Sequence, residues 1–104
     1  MPYEIQFADA AISHLAAMTA RERSTVIDAI ELQLSYEPIA ETRNRKLLRP
    51  NPIASWELRV RALRVFYDVA SADPVAGVPS VVRVLAVGKK ERNVLRIGGE
   101  VVEL

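Results

Sequence analysis

The sequence predicts an α+β domain: an N-terminal strand, a two-helix hairpin, then an antiparallel sheet of three further strands, with the helices on one sheet face. Three observations predict it. Apolar residues recur at helical spacing between residues 8 and 36. They alternate singly between 56 and 69 and run nearly unbroken from 81 to 87. The strand-like stretches gather after the helices, so one sheet face should be covered by a helical hairpin.

Tyr3, Ile5 and Phe7 alternate with Glu4 and Gln6, the period of a half-buried strand. From Ala8 to Met18 the period changes, with Ala11, Leu15 and Met18 on one helical face and Ile12 beside them. Asp9 is placed to be the N-cap. Thr19-Ala-Arg-Glu22 reads as a capping box, so a second helix should begin there. Val26, Ile27, Ile30 and Leu34 form its apolar face, and Pro38 should end it near Tyr36.

Residues 37–55 hold Pro38, Pro50 and Pro52 and read as a loop, with Asn44 to Leu48 a candidate for order against the core. Trp56, Leu58 and Val60, then Leu63, Val65, Tyr67 and Val69, alternate with polar or charged neighbours across a tight connection at Arg61-Ala62. That is the pattern of an antiparallel hairpin. Ser71 to Ser80 is a loop. Val81 to Val87 is apolar except for Arg83, which suits a central strand buried on both faces, ended by Gly88; Arg83 could pair with Asp68. Residues 89–97 are read as a short helix or an irregular arm. Gly98-Gly99 is read as a turn, and residues 97–104 as a tail with a short edge strand at Val101-Val102.

Composition narrows the class. A chain of 104 residues, 50% apolar and 26% charged, fits one soluble domain, residues 1–104. No apolar run approaches the ~18 residues of a membrane span, so no membrane partner is expected. MPYEIQF has neither a basic nor an apolar leader region, and the chain has no cysteine. A cytoplasmic location is therefore expected. Without cysteine there is no disulfide, thiolate zinc site or cysteine nucleophile. The carboxylates show no metal-ligand spacing, and there is no glycine-rich phosphate loop, so neither metal nor cofactor is expected. The only histidine, His14, is read as a surface residue, and Tyr67 as core.

Net charge is only +1, yet it is unevenly spread. Residues 1–42 carry two basic and seven acidic side chains; residues 43–104 carry twelve basic and six acidic. The basic half falls into three clusters: Arg43, Arg45, Lys46 and Arg49; Arg59, Arg61 and Arg64; and Lys89, Lys90, Arg92 and Arg96. Alternation along the predicted strands sends Glu57, Arg59, Arg64, Phe66 and Asp68 to the face away from the helices. Arginine on an open sheet face suits phosphate, because its planar fork bonds two oxygens and keeps its charge. Phe66 could stack a base there, or pack against the C-terminal segment.

Three phrases carry a resemblance: Arg45-Lys-Leu-Leu-Arg49; Trp56-Glu-Leu-Arg-Val60 with Leu63-Arg-Val-Phe-Tyr67-Asp-Val69; and Val87-Gly-Lys-Lys-Glu-Arg92. Their order and spacing over about residues 3–96 resemble the RelE/ParE superfamily of bacterial toxins from type II toxin–antitoxin modules. The resemblance implies a ribosome-dependent mRNA endoribonuclease, with the ribosome, mRNA and a cognate antitoxin as partners. The implied cut makes a ribose 2′-OH attack the adjacent phosphate and expels the 5′-oxygen of the next nucleotide. It needs a base, an acid and charge stabilisation.

By matching positions, Arg64 resembles the phosphate-stabilising arginine and Lys90 a catalytic arginine. Arg59 takes a basic position of the preceding strand, and Lys46 that of a loop residue that contacts RNA or assists the reaction. A lysine among other cations has its pKa lowered, which favours proton transfer near neutral pH. Arg43, Arg45, Arg49, Arg61, Phe66, Lys89, Arg92 and Arg96 are the candidate RNA-binding residues. The chain departs from the RelE pattern at Glu57, which stands where a strand lysine is expected. Arg96 stands near the position of a C-terminal tyrosine. The alternatives are a ParE-like poison that acts on DNA gyrase without nuclease activity, and a catalytically degenerate RelE homologue. The antitoxin should supply an amphipathic, acid-bearing segment lying across the helices or the basic face.

Overall fold

The computed structural model describes residues 2–104. β1 (Glu4–Phe7) alternates as expected, turning Ile5 and Phe7 towards the core. α1 (Asp9–Ala16) and α2 (Ala20–Leu34) follow as a helical hairpin. Ala8, not Asp9, caps α1. It has no side-chain acceptor, and its own N–H donates to Val84 O at 2.9 Å, so a strand carbonyl positions the helix start. The capping box of α2 is complete: Glu22 N–H donates to Thr19 Oγ1 and Thr19 N–H to Glu22 Oε1, both at 3.1 Å. Arg23 closes the hairpin by donating from Nη1 to Leu15 O at 3.0 Å and Met18 O at 3.3 Å, carbonyls at the junction of the two helices.

The sheet is larger than the four strands and short C-terminal edge strand expected. β2 (Arg45–Leu47) forms inside the predicted loop and pairs with β3 (Trp56–Val60). β3 and β4 (Leu63–Ala70) make the expected hairpin, with Arg61 at φ 58 in its two-residue turn. β5 runs from Val81 to Glu91, straight through Gly88. Residues 89–97 are neither helix nor arm. They finish β5, turn at Arg92 and Asn93 (φ 51 and 66), and return as β6 (Val94–Ile97). Two consecutive left-handed residues make the turn that matches strand twist; Asn93 tolerates that conformation, but Arg92 gives no sequence cue for it. Gly98 and Gly99 then turn the chain into β7 (Glu100–Val102).

Seven strands form one sheet in the order β2-β3-β4-β5-β6-β7, with β1 also on β5. β4 pairs with β5 along its length. The other edge of β5 is shared: β1 takes Val81 to Val84 in parallel, and β6 takes Gly88 to Glu91 antiparallel. Phe66 faces Ala86 while Tyr67 faces Val84, so Leu85 is the extra residue of a bulge.

Each face has its own apolar cluster. Val26, Ile30 and Leu34 of α2 pack on Leu58, Val65, Tyr67, Val82 and Val84. Trp56 stacks on Tyr67 with centroids 6.1 Å apart, and Tyr67 donates its buried hydroxyl to Pro38 O at 2.6 Å. On the far face Phe66, Ala54, Ala86 and Leu95 form a second cluster, flanked by Ile53, Leu85, Ile97 and Val102. The far face is therefore partly covered rather than open. Neither helix is long and apolar enough to cross a membrane.

Gly88 is where β6 comes closest to β5. A Cβ there would meet Arg96 O at 2.6 Å and Ile97 Cγ1 at 2.8 Å. Gly88→Ala should therefore push the β6–β7 hairpin outward and cost about 1–3 kcal/mol. Thermal unfolding measures the loss, and faster amide exchange at Leu95 and Ile97 locates it.

Candidate nucleic-acid interface

The far face holds a cleft of about 680 Å³ between the β2–β3 edge and the β6–β7 hairpin. Lys46, Arg49, Arg59 and Lys90 line it together with Glu57. Strand register brings them there. Lys46 lies directly opposite Glu57, and Arg59 directly opposite Arg64. Lys90 is held in place by its backbone N–H, which donates to Ala62 O at 2.7 Å. Asn51 shapes the loop that carries Arg49: its amide donates to Arg49 O and Ala54 O, and its carbonyl oxygen accepts from the N–H groups of Ile53 and Ala54. Sequence reasoning passed over Asn51; its cue was an asparagine between two prolines, where a side chain often organises a turn.

Glu57 sits at the centre of the charge. It is 8% exposed, with Arg59 Nε at 3.6 Å and Arg64 Nε at 3.5 Å from its carboxylate. Like charges directly opposite on neighbouring strands repel, and Glu57 relieves the Arg59–Arg64 pair. Arg64 is more enclosed than the sequence implied. Its side chain is 13% exposed, and Nη1 donates to Arg61 O at 2.6 Å and Leu63 O at 2.9 Å. Its Nε is buried and makes no hydrogen bond despite the nearby carboxylate. Arg64 thus borders the cleft from behind Glu57, while Lys46, Arg59 and Lys90 open into it.

Several candidate RNA contacts lie elsewhere. Arg45 is buried and donates from Nε to Ala40 O at 3.0 Å and from Nη1 to Gln33 O at 2.7 Å. It staples the loop before β2 to the end of α2 and is not free to hold phosphate. Phe66 is fully buried in the second apolar cluster, so no ring face is left for a base. Lys89 and Arg96 lie on the helix side, across the sheet from Lys90. Arg43, Arg61 and Arg92 are exposed in loops and turns outside the cleft. No tyrosine lines the cleft, and Arg96 does not enter it. Arg83 is opposite Asp68 in register but forms no ion pair with it; the Asp68 carboxylate accepts Ser55 N–H at 2.6 Å. Among the described residues no group of His, Asp and Glu side chains could hold a metal ion.

His14 is not a surface residue. It is half-buried, and its Nδ1 accepts Val87 N–H at 3.2 Å. Desolvation lowers its pKa below the ordinary 6.5. Glu22 and Lys89 are close by, joined at 3.0 Å. The hydrogen bond to Lys89, with that to Thr19 N–H, holds the Glu22 carboxyl below its ordinary range, and Glu22 raises Lys89.

No protein-family model matches the chain, and no curated protein matches it significantly. Among solved structures, a chain of the toxin–antitoxin complex RelBE2 from Mycobacterium tuberculosis superposes with a TM-score of 0.69 at 23% identity. The match covers 86% of this chain and 100% of that one. The chain therefore has a RelE-like fold.

Two outcomes are expected from this geometry. Glu57→Gln keeps the shape of the side chain but removes the charge that engages Arg59 and Arg64. It should tighten binding to single-stranded RNA and steepen the plot of log K against log salt by about 1. A fluorescence-anisotropy salt series reads both. The second concerns His14. Its folded pKa lies below its unfolded value, so the unfolded chain binds the proton more readily. Stability from His14 is complete above pH 6.5 and is lost as pH falls towards the folded pKa. His14→Gln should flatten denaturant midpoints between about pH 7 and 5, a window above that of Glu22.

Proposed function

We propose that this protein is the toxin of a type II toxin–antitoxin module and cuts mRNA on the ribosome. The observation that carries this reading is the convergence of Lys46, Arg49, Arg59 and Lys90 on one cleft of a RelE-like fold. Four cations around a groove suit the paired charges of an RNA backbone. In-line attack by a 2′-OH builds negative charge on the phosphorus oxygens, and Arg59, with its planar fork, is placed to hold it. Arg64 supports that charge from behind Glu57. Lys46 and Lys90 flank the groove from opposite strands, as a base for the hydroxyl and an acid for the departing 5′-oxygen would. The absence of a phenol in the cleft leaves proton transfer to these lysines.

A specific observation also favours the second reading. Glu57 engages both Arg59 and Arg64, which lowers the positive charge offered to a scissile phosphate. A gyrase poison would need no such charge. The partner in either case is an antitoxin, and the solved neighbour is itself from a toxin–antitoxin complex. The helix side offers apolar ground, with Ile12 54% exposed beside a crevice lined by Phe7, Leu15 and Ile27. That side also exposes Asp9, Asp28 and Glu31, so an acid-bearing antitoxin segment fits the basic cleft better than the helices.

Mapping 5′ ends of a defined mRNA with and without programmed ribosomes tests the reading. Ribosome-dependent cuts are expected, slowed by about 10²–10⁴ in Lys90→Ala or Lys46→Ala. Arg59→Ala should cost about 10²–10³. Arg64→Ala should also lower stability, because it strips a partner from the buried Glu57. An intact message, with purified gyrase losing supercoiling activity instead, would establish the second reading.

A further inference from the structure

A second crevice, of about 450 Å³, lies on the helix side of the sheet, across from the basic cleft. It opens between α1, the start of α2 and the end of the sheet where β5, β6 and the glycine turn meet. Its polar side chains are Ser13, His14, Glu22, Lys89 and Arg96, and Met18 and Val87 form part of its apolar lining.

Three features point to an anionic ligand. Lys89 and Arg96 are directly opposite on neighbouring strands, so two cations border the crevice side by side. Glu22 at 3.0 Å and Glu91 at 3.9 Å both engage Lys89, but no carboxylate pairs with Arg96 among the described residues. His14 adds a directed donor. Because Nδ1 accepts Val87 N–H, the proton of the neutral ring sits on Nε2, which has no acceptor among the described residues. That nitrogen faces the turn of Gly98, where a Cβ would come within 3.2 Å of it. With no side chain at Gly98, the turn passes close to this nitrogen without a Cβ against it. Lastly, the apolar lining offers a resting surface for a flat or hydrocarbon body attached to the anion.

We infer that this crevice binds the phosphate group of a nucleotide. The Arg96 fork takes two phosphate oxygens, Lys89 adds a point charge, and His14 Nε2–H donates a further hydrogen bond. The base rests against Met18. The nucleotide is either free or one residue of an RNA strand, since both present the same phosphate. The inference stands apart from the nuclease reading, because none of these residues lines the basic cleft.

Amide and imidazole NMR spectra of the full chain test it, with inorganic phosphate, adenosine 5′-monophosphate and a short single-stranded RNA titrated separately. Saturable shifts are expected at Gly98, Gly99 and the His14 ring with the mononucleotide. Arg96→Ala, at an exposed position that leaves the cores intact, should weaken binding roughly tenfold or more. Asp28→Asn, on the outer face of α2 and in neither cleft nor crevice, should leave the mononucleotide shifts at Gly98, Gly99 and the His14 ring unchanged. Saturation by the mononucleotide with no crevice shifts from RNA assigns the site to free nucleotides. Crevice shifts from RNA that the mononucleotide displaces assign it to a strand. Shifts confined to Lys46, Asn93 and Leu95, or equal binding by the wild type and Arg96→Ala, overturn the inference.

Discussion

β5 is paired on both edges, and the rest of the molecule is arranged around that fact. β4 covers one edge, while the other is divided between β1 and β6. Because β6 needs the second half of that edge, β1 must leave it at Phe7, and the chain departs at once into α1 with Ala8 N–H still bonded to Val84 O. The helical hairpin therefore lies over the first half of β5. The C-terminal hairpin extends the sheet beyond it. The basic cleft and the crevice around His14 each owe one wall to that hairpin.

The bulge at Leu85 decides which lysine serves which face. On an unbroken strand, side chains alternate, so Val82 and Val84 would share a face with Lys90. The extra residue shifts the phase. Val84 and Val87 both join the helix-side cluster, Lys89 follows Val87, and Lys90 goes to the cleft. Bulges recur beside functional sites because they re-aim a side chain at little cost to the ladder. Here one bulge separates the basic cleft from the crevice around His14.

Charge in the cleft is organised by a carboxylate rather than by cations alone. Glu57 is nearly buried between two guanidinium groups, a position where its removal would leave Arg59 and Arg64 facing each other across the strands. The enclosed Arg64 draws its remaining partners from turn carbonyls, so it belongs as much to the β3–β4 hairpin as to the cleft. Arg45 shows the same principle carried further. Its charge is spent on the backbone of the loop and of α2, which fixes the approach of β2 to the sheet.

Much of this was written in the sequence. Helical spacing around Ala11, Leu15, Val26 and Ile30 placed the helices, and the capping box at Thr19 marked their junction. Strict alternation from Trp56 to Val69 gave the central hairpin, its turn and its two faces. Alternation placed Arg59 on the far face, whereas Lys46 and Lys90 join it only through the pairing of β2 and the bulge in β5. What the sequence could not show was set by contacts distant along the chain. The short edge strand at Val101-Val102 was legible and is β7, but β2 and β6 are too short to have a pattern of their own, and they are strands only because a neighbour offers its edge. Alternation left Phe66 free either to stack a base or to pack against the C-terminal segment; the second holds, with Leu95, Ile97 and Val102, and the loop residues Ile53 and Ala54 complete its burial. His14 reads as a surface residue until Val87, 73 positions away, supplies its hydrogen bond. Local periodicity is encoded by each residue's immediate neighbours, whereas burial and partner choice depend on which distant segment arrives, and only the folded sheet decides that.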